Sequence, residues 1–487
     1  MKYKMIGLLA AAVVALTAFA ASAIKTDDPT RRIHQHLEAR QKTAGCSCDG
    51  KSLCTHLPLV LIDTGDRKIP GEVIVDENQE EIGFTMTEDG ETMLAAQVHI
   101  VDHSDANNHP DDAPTLSSSM LIRIRGNSSR YFEKKSYLLR LTEADGSYNE
   151  QEVLGMEPHY EWALHGPYMD KSLIRNYMWY NIAGEIMDWA PNVRFCEVIV
   201  NGEYQGLYLM TETITSGKES RLKLTEPMQD ANKTGFVVRL DRGSSNPLKN
   251  INTFTQYAYR NLQKMDIKYP RAGDLTPELA RAISQEVSDF EKTLYSYDYD
   301  TDDYGYWHSI DTDSFVDFFI LNEFTANYDA GWLSTYLYKD VGGKYKMVIW
   351  DFNSACENYR HLTSSPQHIE LQYNIWYYML TKDEYFNKKI LRRYKELRED
   401  VLSDEFLIRY IDETVAYLGD VIERNFAVWG DSFDKDMLEP SERNPRSYQE
   451  AVDQMKRFIQ ERGDWLDNHL EIILQYSHES KIKKFNH

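Results

Sequence analysis

One turn signal constrains the fold of this chain more than any other feature. Asn201-Gly202 separates two runs of apolar, aromatic and β-branched residues at 195–200 and 204–214. The dipeptide Asn-Gly supplies the two positive φ angles of a type I′ turn, which joins antiparallel strands tightly. The sequence therefore predicts a β-hairpin near the middle of the chain and an antiparallel sheet around it.

Strand signals dominate before and around this hairpin, and helical periodicity dominates after it. Further strands are predicted at 57–63, 85–87, 96–101, 120–125, 136–141, 235–241, 335–338 and 345–350. Helices are predicted at 32–42, 170–187, 276–295, 313–327, 383–401, 405–426 and 447–475, with polar connections at 105–112 and 242–274. Antiparallel sheets followed by helices, without an internal repeat, indicate the α+β class.

Length and composition indicate the domain organisation and argue against a nucleic-acid partner. The 487 residues are enough for two or three domains. We predict a signal peptide at 1–23, a flexible lead-in at 24–56, a small β-rich module at 57–115, a main domain at 116–475 with a helical lobe from about 367, and a tail at 476–487. The formal net charge is −23. This excess of acid argues against nucleic-acid binding, which needs cations to displace counterions from phosphate.

The first residues carry the pattern of an export signal. Lys2 and Lys4 precede an apolar run at 5–19, and Ala21-Ser22-Ala23 matches the small-residue cleavage pattern. We expect cleavage near Ala23 and a mature protein in the periplasm, at the cell surface or outside the cell. No later stretch reaches about 18 apolar residues, so no membrane span is predicted.

Three of the five cysteines lie close together in the sequence. Cys46, Cys48 and Cys54, with His56 beside the last, are compatible with a small metal site or with one local disulfide and a spare thiol. The sequence leaves both interpretations of this cluster open. Cys196 lies in an apolar strand, where we expect it to pack in the core.

A polar loop between two predicted strands is the first candidate for chemistry. Arg125, Asn127 and Ser128 end one strand and enter the loop, and Lys134 and Lys135 lead into the next strand. Glycine in such a loop lets backbone N–H groups approach an anion, while nearby cations neutralise phosphate. The segment fits neither the Walker nor the dinucleotide pattern. An exposed turn with solvated charges is the alternative interpretation.

Two acids from separate elements form the second candidate. Asp329 follows a predicted helix, and Asp351 ends an apolar strand, where an unpaired buried carboxylate would be costly. With Ser334 and Asn353 nearby in sequence, these oxygen donors suit Mg²⁺, and phosphoryl transfer needs such a set. Both acids are equally compatible with helix or strand caps. Glu212, on the second strand of the central hairpin, would line a cleft or face solvent.

Taken together, five blocks of this sequence resemble the spore coat protein H (CotH) kinase-like family. The blocks are Ile124-Arg-Gly-Asn-Ser-Ser with Lys134-Lys135-Ser-Tyr, Trp162-Ala-Leu-His with Asp170-Lys-Ser-Leu-Ile-Arg175-Asn176, Asn201-Gly-Glu-Tyr-Gln-Gly-Leu-Tyr with Glu212, Asn327-Tyr-Asp329, and Trp350-Asp351-Phe352. The resemblance covers roughly residues 116–475. It implies an atypical protein-kinase-like fold with a helical C-terminal lobe. It also implies binding of ATP and Mg²⁺ and phosphorylation of Ser or Thr in secreted or surface proteins.

The resemblance further implies roles for single residues. Asp329 would be the catalytic acid beside the acceptor hydroxyl. Asp351 would be the main Mg²⁺ ligand, with Asn353 and Ser334 on the same side. The nucleotide side would be formed by Arg125, Asn127, Ser128, Lys134, Lys135 and Glu212, with Lys135 or Lys134 on the ATP phosphates. The acidic surface would attract basic, Ser/Thr-containing acceptor segments.

Three departures from the family pattern bear on activity. Asn353 stands where a second Asp is common, and Ser334 or Thr335 replaces the usual asparagine after the first acidic motif. Arg239 replaces an acid in the strand that ends at Asp241. Each change removes a negative charge or a preferred ligand, so the alternative is a catalytically inactive binding or structural protein at the cell surface. A third possibility is transfer of another part of ATP, such as the adenylyl group.

Overall fold

The computed structural model of the chain describes residues 32–38, 46, 48, 52–228, 232–258, 263–361 and 367–480. Gln35–His487 forms one compact unit, to which the following description applies. Of the other unit, Met1–His34, the structure describes Arg32, Ile33 and His34, which lie outside helices and strands. The predicted signal peptide and residues 481–487 of the predicted tail lie outside the described residues.

Strands fill the N-terminal region, and helices fill the C-terminal part, which confirms the mixed α+β class. The strands β1 to β16 are Leu59–Asp63, Val73–Val75, Glu81–Phe84, Leu94–Val101, Leu116–Arg125, Ser136–Thr142, Gln151–Val153, Met156–His159, Glu161–His165, Val193–Val200, Glu203–Glu212, Phe236–Asp241, Asn250–Ile251, Lys264–Tyr269, Thr335–Lys339 and Lys346–Val348. The helices α1 to α10 are Gln35–Glu38, Arg175–Ile186, Phe254–Ala258, Pro277–Leu294, Thr312–Phe324, Tyr377–Leu380, Glu384–Arg398, Asp404–Leu418, Asp420–Trp429 and Tyr448–His469. None of these helices combines the length and apolarity that a membrane span requires.

Seven strands close into a barrel in the order β1-β10-β11-β9-β6-β5-β4. Neighbouring strands are antiparallel except β1 and β10, which run parallel with Leu59 opposite Glu197. Alternate residues point inward, and apolar side chains such as Val60, Ile122 and Met210 fill the barrel. β4 pairs with β5 across the boundary expected at 115/116. The β-rich stretch at 57–115 therefore shares its barrel with the strands that follow.

A second, antiparallel sheet has the order β13-β14-β12-β15-β16. Leu240 near the end of β12 lies opposite Thr335 at the start of β15, and Tyr336 of β15 lies opposite Val348 at the end of β16. Because neighbouring strands run in opposite directions, the end of β12, the start of β15 and the end of β16 meet at one edge. This edge positions the candidate site.

The central hairpin and one helix start confirm the strongest local predictions. β10 and β11 are joined by Asn201 and Gly202, with φ of 50° and 82° as a type I′ turn requires. Helix α4 begins after Thr276, whose side chain accepts a hydrogen bond from the N–H of Leu279. Pro277 occupies the first helical position, where its missing N–H carries no penalty.

Several predicted boundaries are wrong for local reasons. The helix expected from Asp170 begins at Arg175, because Leu173 has a φ of 67° that a helix cannot contain. The helix expected at 405–426 is broken into α8 and α9 at Gly419, and α10 passes into a 3₁₀ turn at Leu470–Tyr476. The helix expected at 32–42 covers Gln35–Glu38, and its last positions lie outside the described residues.

Two strand predictions also need correction. Residues 85–87 are not a strand. Thr85 lies just past β3, where its backbone still bonds Gly71 and Glu72 and its hydroxyl accepts from the N–H groups of the same two residues. The polar connection expected at 242–274 contains β13, α3 and β14. β14 alternates apolar residues with charged ones, including the buried Asp266. This alternation is the two-residue period of a strand, and the sequence analysis overlooked it.

Candidate functional site

Asp351 and Ser334 meet at the shared edge of the second sheet. Asp351 follows β16, and Ser334 immediately precedes β15. The hydroxyl of Ser334 donates a hydrogen bond to Oδ2 of Asp351 at 3.0 Å. Asp329 lies in the turn between α5 and β15, and Asp241 is the last residue of β12. The structure therefore brings three carboxylates from separate elements to one edge.

The backbone around this edge adopts unusual conformations. Asp351 has φ of 58° and ψ of 62°, the left-handed region that non-glycine residues rarely occupy. Of eleven non-glycine residues with positive φ in the described chain, five flank the site: Ala326, Ser334, Asp351, Cys356 and Glu357. Each such residue costs the fold on the order of 1 kcal/mol and persists only where the surroundings enforce it. This concentration of strain is typical of a functional site.

Helix α2 enforces the position of Asp351. The hydroxyl of Tyr180 accepts a hydrogen bond from the backbone N–H of Asp351 at 3.1 Å. Arg175, buried at the start of the helix, donates to the carbonyl oxygens of Ala355 and Cys356 at 2.9 and 3.2 Å. The same guanidinium pairs with the buried Asp170. A buried ion pair at the start of α2 therefore holds the loop that follows Asp351.

Burial and mutual repulsion raise the pKa values of two carboxyl groups here. Burial, followed by the negative charges of Asp351 and Asp241, raises the pKa of Asp329 to about 6. Burial also raises the pKa of Asp351, although Arg125 and the hydroxyl of Ser334 oppose this shift. Clustered carboxylates that are costly to ionise are stabilised by a bound cation. Their hard oxygen donors fit Mg²⁺.

Arginine side chains face the carboxylates from two directions. The guanidinium of Arg125, at the end of β5, lies 5.5 Å from the ring centre of Trp350. The amide oxygen of Asn127, in the orientation that satisfies its hydrogen bonds, accepts from Nε and Nη1 of Arg242, both at 2.8 Å. Arg242 also approaches Asp241, with Nη1 at 3.4 Å from Oδ1. The polar loop that sequence analysis selected therefore contacts the end of β12.

The conformation of this loop depends on one glycine. Gly126 has a φ of 110°, and a Cβ atom there would lie 1.8 Å from Oγ of Ser129. Arg130 fastens the loop by donating to the carbonyl oxygens of Gly126 and Gly71 at 2.7 and 2.9 Å. Ser128 is exposed at the start of the 3₁₀ turn Ser128–Tyr131.

Arg239, which stands where the family resemblance leads us to expect an acid, forms ion pairs with two aspartates. It pairs with Asp241 at 3.1 Å and with Asp266 at 3.0 Å. Asp266 is its direct partner on β14. Arg239 therefore partly neutralises Asp241, and a cation that uses Asp241 as a ligand competes with this guanidinium.

The two lysines of the predicted phosphate loop have different surroundings. Lys134 is buried, and its ammonium donates to the carbonyl oxygen of Leu207 at 2.7 Å and to Oδ1 of Asn425 on α9 at 2.6 Å. Burial lowers its pKa well below the usual value. Lys135 is half-buried and donates to the carbonyl oxygen of Arg130 at 2.8 Å. Lys134 therefore tethers the barrel to a C-terminal helix, whereas Lys135 stays with the loop.

Two other predicted residues lie in supporting positions. Glu212 is buried and pairs with Arg221 at 2.6 Å, and it accepts from the N–H of Asn192 at 2.6 Å. Burial opposes ionisation, but these partners hold the pKa of Glu212 below its usual value. Asn353 lies in the turn after Asp351, and its carbonyl oxygen accepts from Nδ2 of Asn358 at 2.7 Å. The structure thus places Glu212 in an ion pair and keeps Asn353 beside Asp351.

Sequence reasoning missed Asp241, Tyr180 and Arg242 as members of this site. Asp241 carried the same signal as Asp351, an acid at the end of an apolar strand. The position of Arg242 follows from the contact between the loop and β12, and that of Tyr180 from the docking of α2. Both are tertiary contacts that a local pattern does not contain.

A family match covers the region that builds this site. The profile of the family described as CotH kinase protein matches residues 122–466, which is more than two thirds of the chain. The chain belongs to the CotH kinase protein family. The match runs from β5 to α10 and includes all three carboxylates. Inner spore coat protein H of Bacillus subtilis (strain 168) is similar, at 23% identity over 361 residues that cover 72% of this chain and 87% of that protein.

Proposed function

We propose that this CotH kinase family member transfers the γ-phosphoryl group of ATP to a Ser or Thr hydroxyl of a secreted or surface protein. The convergence of Asp241, Asp329 and Asp351 at one sheet edge carries the proposal. Phosphoryl transfer needs carboxylates for the metal, cations for the phosphates and one acid beside the acceptor hydroxyl. Membership of a kinase family supports the use of ATP. The proposal includes an atypical protein-kinase-like arrangement of the matched region.

Asp351 and Asp241 are the residues that would hold Mg²⁺. Both carboxylates supply hard oxygens, and Ser334 orients Asp351 through its hydrogen bond. Asn353 would add an amide oxygen on the same side. When bound, the ion would neutralise the negative charge of the phosphates during transfer. It would also offset the burial and the repulsion between carboxylates that raise the pKa of Asp351 and of Asp329.

Asp329 would accept the proton of the acceptor hydroxyl. Its pKa of about 6 leaves it mostly ionised at neutral pH and still basic enough to take a proton. A carboxylate with the ordinary pKa of an aspartate would be a weaker base. The burial that makes Asp329 costly to ionise is therefore useful for this role.

The loop that contains Asn127 would bind the nucleotide phosphates. Arg125 lies over Trp350, and Asn127 contacts Arg242 beside Asp241. Ser128 is the next, exposed residue of the loop, and Lys135 is its last. Lys134 would have to leave two buried hydrogen bonds before it contacted a phosphate. Lys135 is therefore the better candidate for the phosphate contact.

The acceptor is proposed to be a basic, Ser/Thr-containing segment of an exported protein. A net charge of −23 would steer cationic segments to the surface. Export rests on Lys2 and Lys4, the apolar run after them and the Ala21-Ser22-Ala23 pattern. The acceptor and the kinase would then meet in the same compartment.

A second candidate function is an inactive, kinase-derived binding or structural protein at the cell surface. The observation that favours it is the ion pair between Arg239 and Asp241, which places a permanent cation on one candidate metal ligand. Asn353 also favours an inactive protein, because it stands where a second acid is common. Under this alternative the carboxylate edge would be retained without turnover.

The test is phosphoryl transfer itself, followed by mass spectrometry. The purified mature protein is incubated with ATP, Mg²⁺ and a basic Ser/Thr peptide library, and every product mass is recorded. A gain of one phosphate on a hydroxyl, lost in Asp351→Asn, supports the kinase. The matched control is Asp66→Asn, since Asp66 has a similar φ of 59° but lies in the exposed loop after β1. Transfer of an adenylyl group would show that the protein transfers that part of ATP and is not a kinase. If neither the library nor the protein is modified, the inactive candidate is favoured.

A further inference from the structure

A second group of chemically reactive side chains lies at the entrance to β1, outside the carboxylate edge. The sulfur atoms of Cys46, Cys48 and Cys54 and a ring nitrogen of His109 all lie within 4.8 Å of one another. Cys46 Sγ is 3.1 Å from Nε2 of His109. His109 stands in the loop after β4, 63 positions along the chain from Cys46. His56, which sequence analysis placed beside the cysteines, packs against Tyr417 instead.

The surroundings orient His109 toward the sulfurs. Its Nδ1 is 3.0 Å from Oδ2 of Asp112, which also accepts the backbone N–H of His109 at 2.8 Å. A proton on Nδ1 therefore points to a carboxylate, and the lone pair of Nε2 points to the cysteines. A metal-bound histidine usually donates its other ring N–H to a carboxylate in this way. In addition, the side-chain amide of Asn107 donates to Sγ of Cys54 at 3.3 Å.

Backbone hydrogen bonds hold the two contributing segments together. Thr55 and Asn108 exchange both of their backbone hydrogen bonds, at 3.1 and 2.7 Å. The side chain of Asn108, which is fully buried, donates to the carbonyl oxygen of Leu57 at 2.8 Å and accepts from the N–H of His103 at 2.8 Å. These bonds fix Cys54 beside His109, two of the four residues of the group.

We propose that Cys46, Cys48, Cys54 and His109 form a structural zinc site. Three thiolates and one imidazole are a ligand set that zinc binds tetrahedrally in closed, non-catalytic sites. With ordinary zinc–ligand bond lengths, donors around a tetrahedral zinc lie about 3.6 to 3.8 Å apart. Four donors within 4.8 Å of one another need only small side-chain movements to reach this geometry. Mg²⁺ and Ca²⁺ prefer oxygen donors and do not suit three sulfurs.

A local disulfide explains less of this arrangement. All five cysteines lie among the described residues, and no disulfide joins any two of them. A disulfide would use two of the clustered sulfurs and leave unexplained why the third sulfur, the imidazole and its carboxylate all converge there. The contact of Nδ1 with Asp112 is the partner that a metal-bound imidazole usually has.

The zinc would tie the segment before β1 to the barrel. Thr55, beside Cys54, also accepts a hydrogen bond through Oγ1 from Nη2 of Arg424 on α9 at 3.2 Å. Arg424 in turn pairs at 2.9 Å with Glu197, a fully buried residue of β10. The site therefore lies next to a junction between the barrel and a C-terminal helix. Removing the metal should loosen this junction as well as the segment before β1.

The test uses the full mature chain, purified under reducing conditions without a metal-affinity tag and supplied with Zn²⁺. Elemental analysis should find one zinc per chain, and Co²⁺ in its place should give the absorption of a tetrahedral thiolate complex. His109→Gln should lose most of the zinc affinity, whereas His103→Gln, in the same loop, should keep it. Asp112→Asn, which leaves all four donors in place, should weaken binding by about 10- to 100-fold.

Three results would overturn the zinc site. The first is a reduced wild-type chain that takes up no zinc at stoichiometric concentration. The second is His109→Gln binding zinc as tightly as wild type, which would remove the histidine from the ligand set. The third is a zinc-free protein from its own compartment in which mass spectrometry finds two of the three cysteines joined in a disulfide. Because this site lies apart from Asp351, none of these results depends on kinase activity.

Discussion

Replacing Asp329 by asparagine should make the folded protein more stable and remove phosphoryl transfer. The pKa of Asp329 is raised from an ordinary 3.8 to about 6, first by burial and then by the charge of Asp351. One pKa unit corresponds to about 1.4 kcal/mol, so ionised Asp329 lowers the free energy of unfolding by about 3 kcal/mol at neutral pH. An amide of the same size carries no charge and avoids this loss.

The pH dependence gives the prediction its sign. The folded state holds a proton on Asp329 up to a higher pH than the unfolded chain does. The stability that this proton provides is present below pH 3.8 and is lost as pH rises through about 6. The gain from Asp329→Asn should therefore be close to zero at pH 3.5, about 1.5 kcal/mol at pH 5 and about 3 kcal/mol at pH 7.5.

Urea unfolding of both proteins at these three pH values measures the gain. Saturating Mg²⁺ should shrink it at pH 7.5, because a cation beside Asp351 stabilises the wild-type carboxylates more than the variant. Asp317→Asn is the matched control for the effect of Mg²⁺. Burial raises the pKa of Asp317 to about 6 as well, but this residue pairs with Arg393 on α7. A loss of stability in Asp329→Asn at pH 7.5, or a gain that does not change with pH, would refute the reasoning.

Three further substitutions test how the site is supported. Arg175→Met should lower the free energy of unfolding by about 3 to 5 kcal/mol in urea titrations, because it leaves Asp170 buried without its cation; a loss below 1 kcal/mol would contradict the anchoring role. Lys135→Met should weaken ATP binding in calorimetry. Lys134→Met should instead lower stability by about 1 to 3 kcal/mol, since it removes a donor from two buried acceptors, and leave ATP affinity unchanged; the opposite pattern would assign the phosphate contact to Lys134.

Local patterns predicted the parts of the fold that short-range chemistry decides. The Asn201-Gly202 turn has a single favourable geometry, and Thr276 with Pro277 carries both signals of a helix start. The carboxylate edge could also be predicted from the sequence, because an acid at the end of an apolar strand needs a partner. Applied to Asp241, the same argument would have found the third carboxylate.

Features that depend on long-range pairing could not be predicted from local patterns in the sequence. Barrel closure needs the parallel pairing of β1 with β10, and their sequences do not specify this contact. Lys134 and Lys135 are neighbours in sequence, yet one is buried against α9 and the other stays with its loop. His109 joins the cysteines because Asn108 pairs with Thr55, a contact that no spacing rule predicts.

The most direct test of the central claim is calorimetric titration of ATP into the mature protein with and without Mg²⁺, beside Asp351→Asn. If the carboxylate edge is a nucleotide and metal site, wild type should bind ATP only when Mg²⁺ is present, and Asp351→Asn should lose this dependence. Asp66→Asn should behave as wild type. An absence of ATP binding to wild type at millimolar concentration, or Mg²⁺-dependent binding that survives Asp351→Asn, would contradict the account.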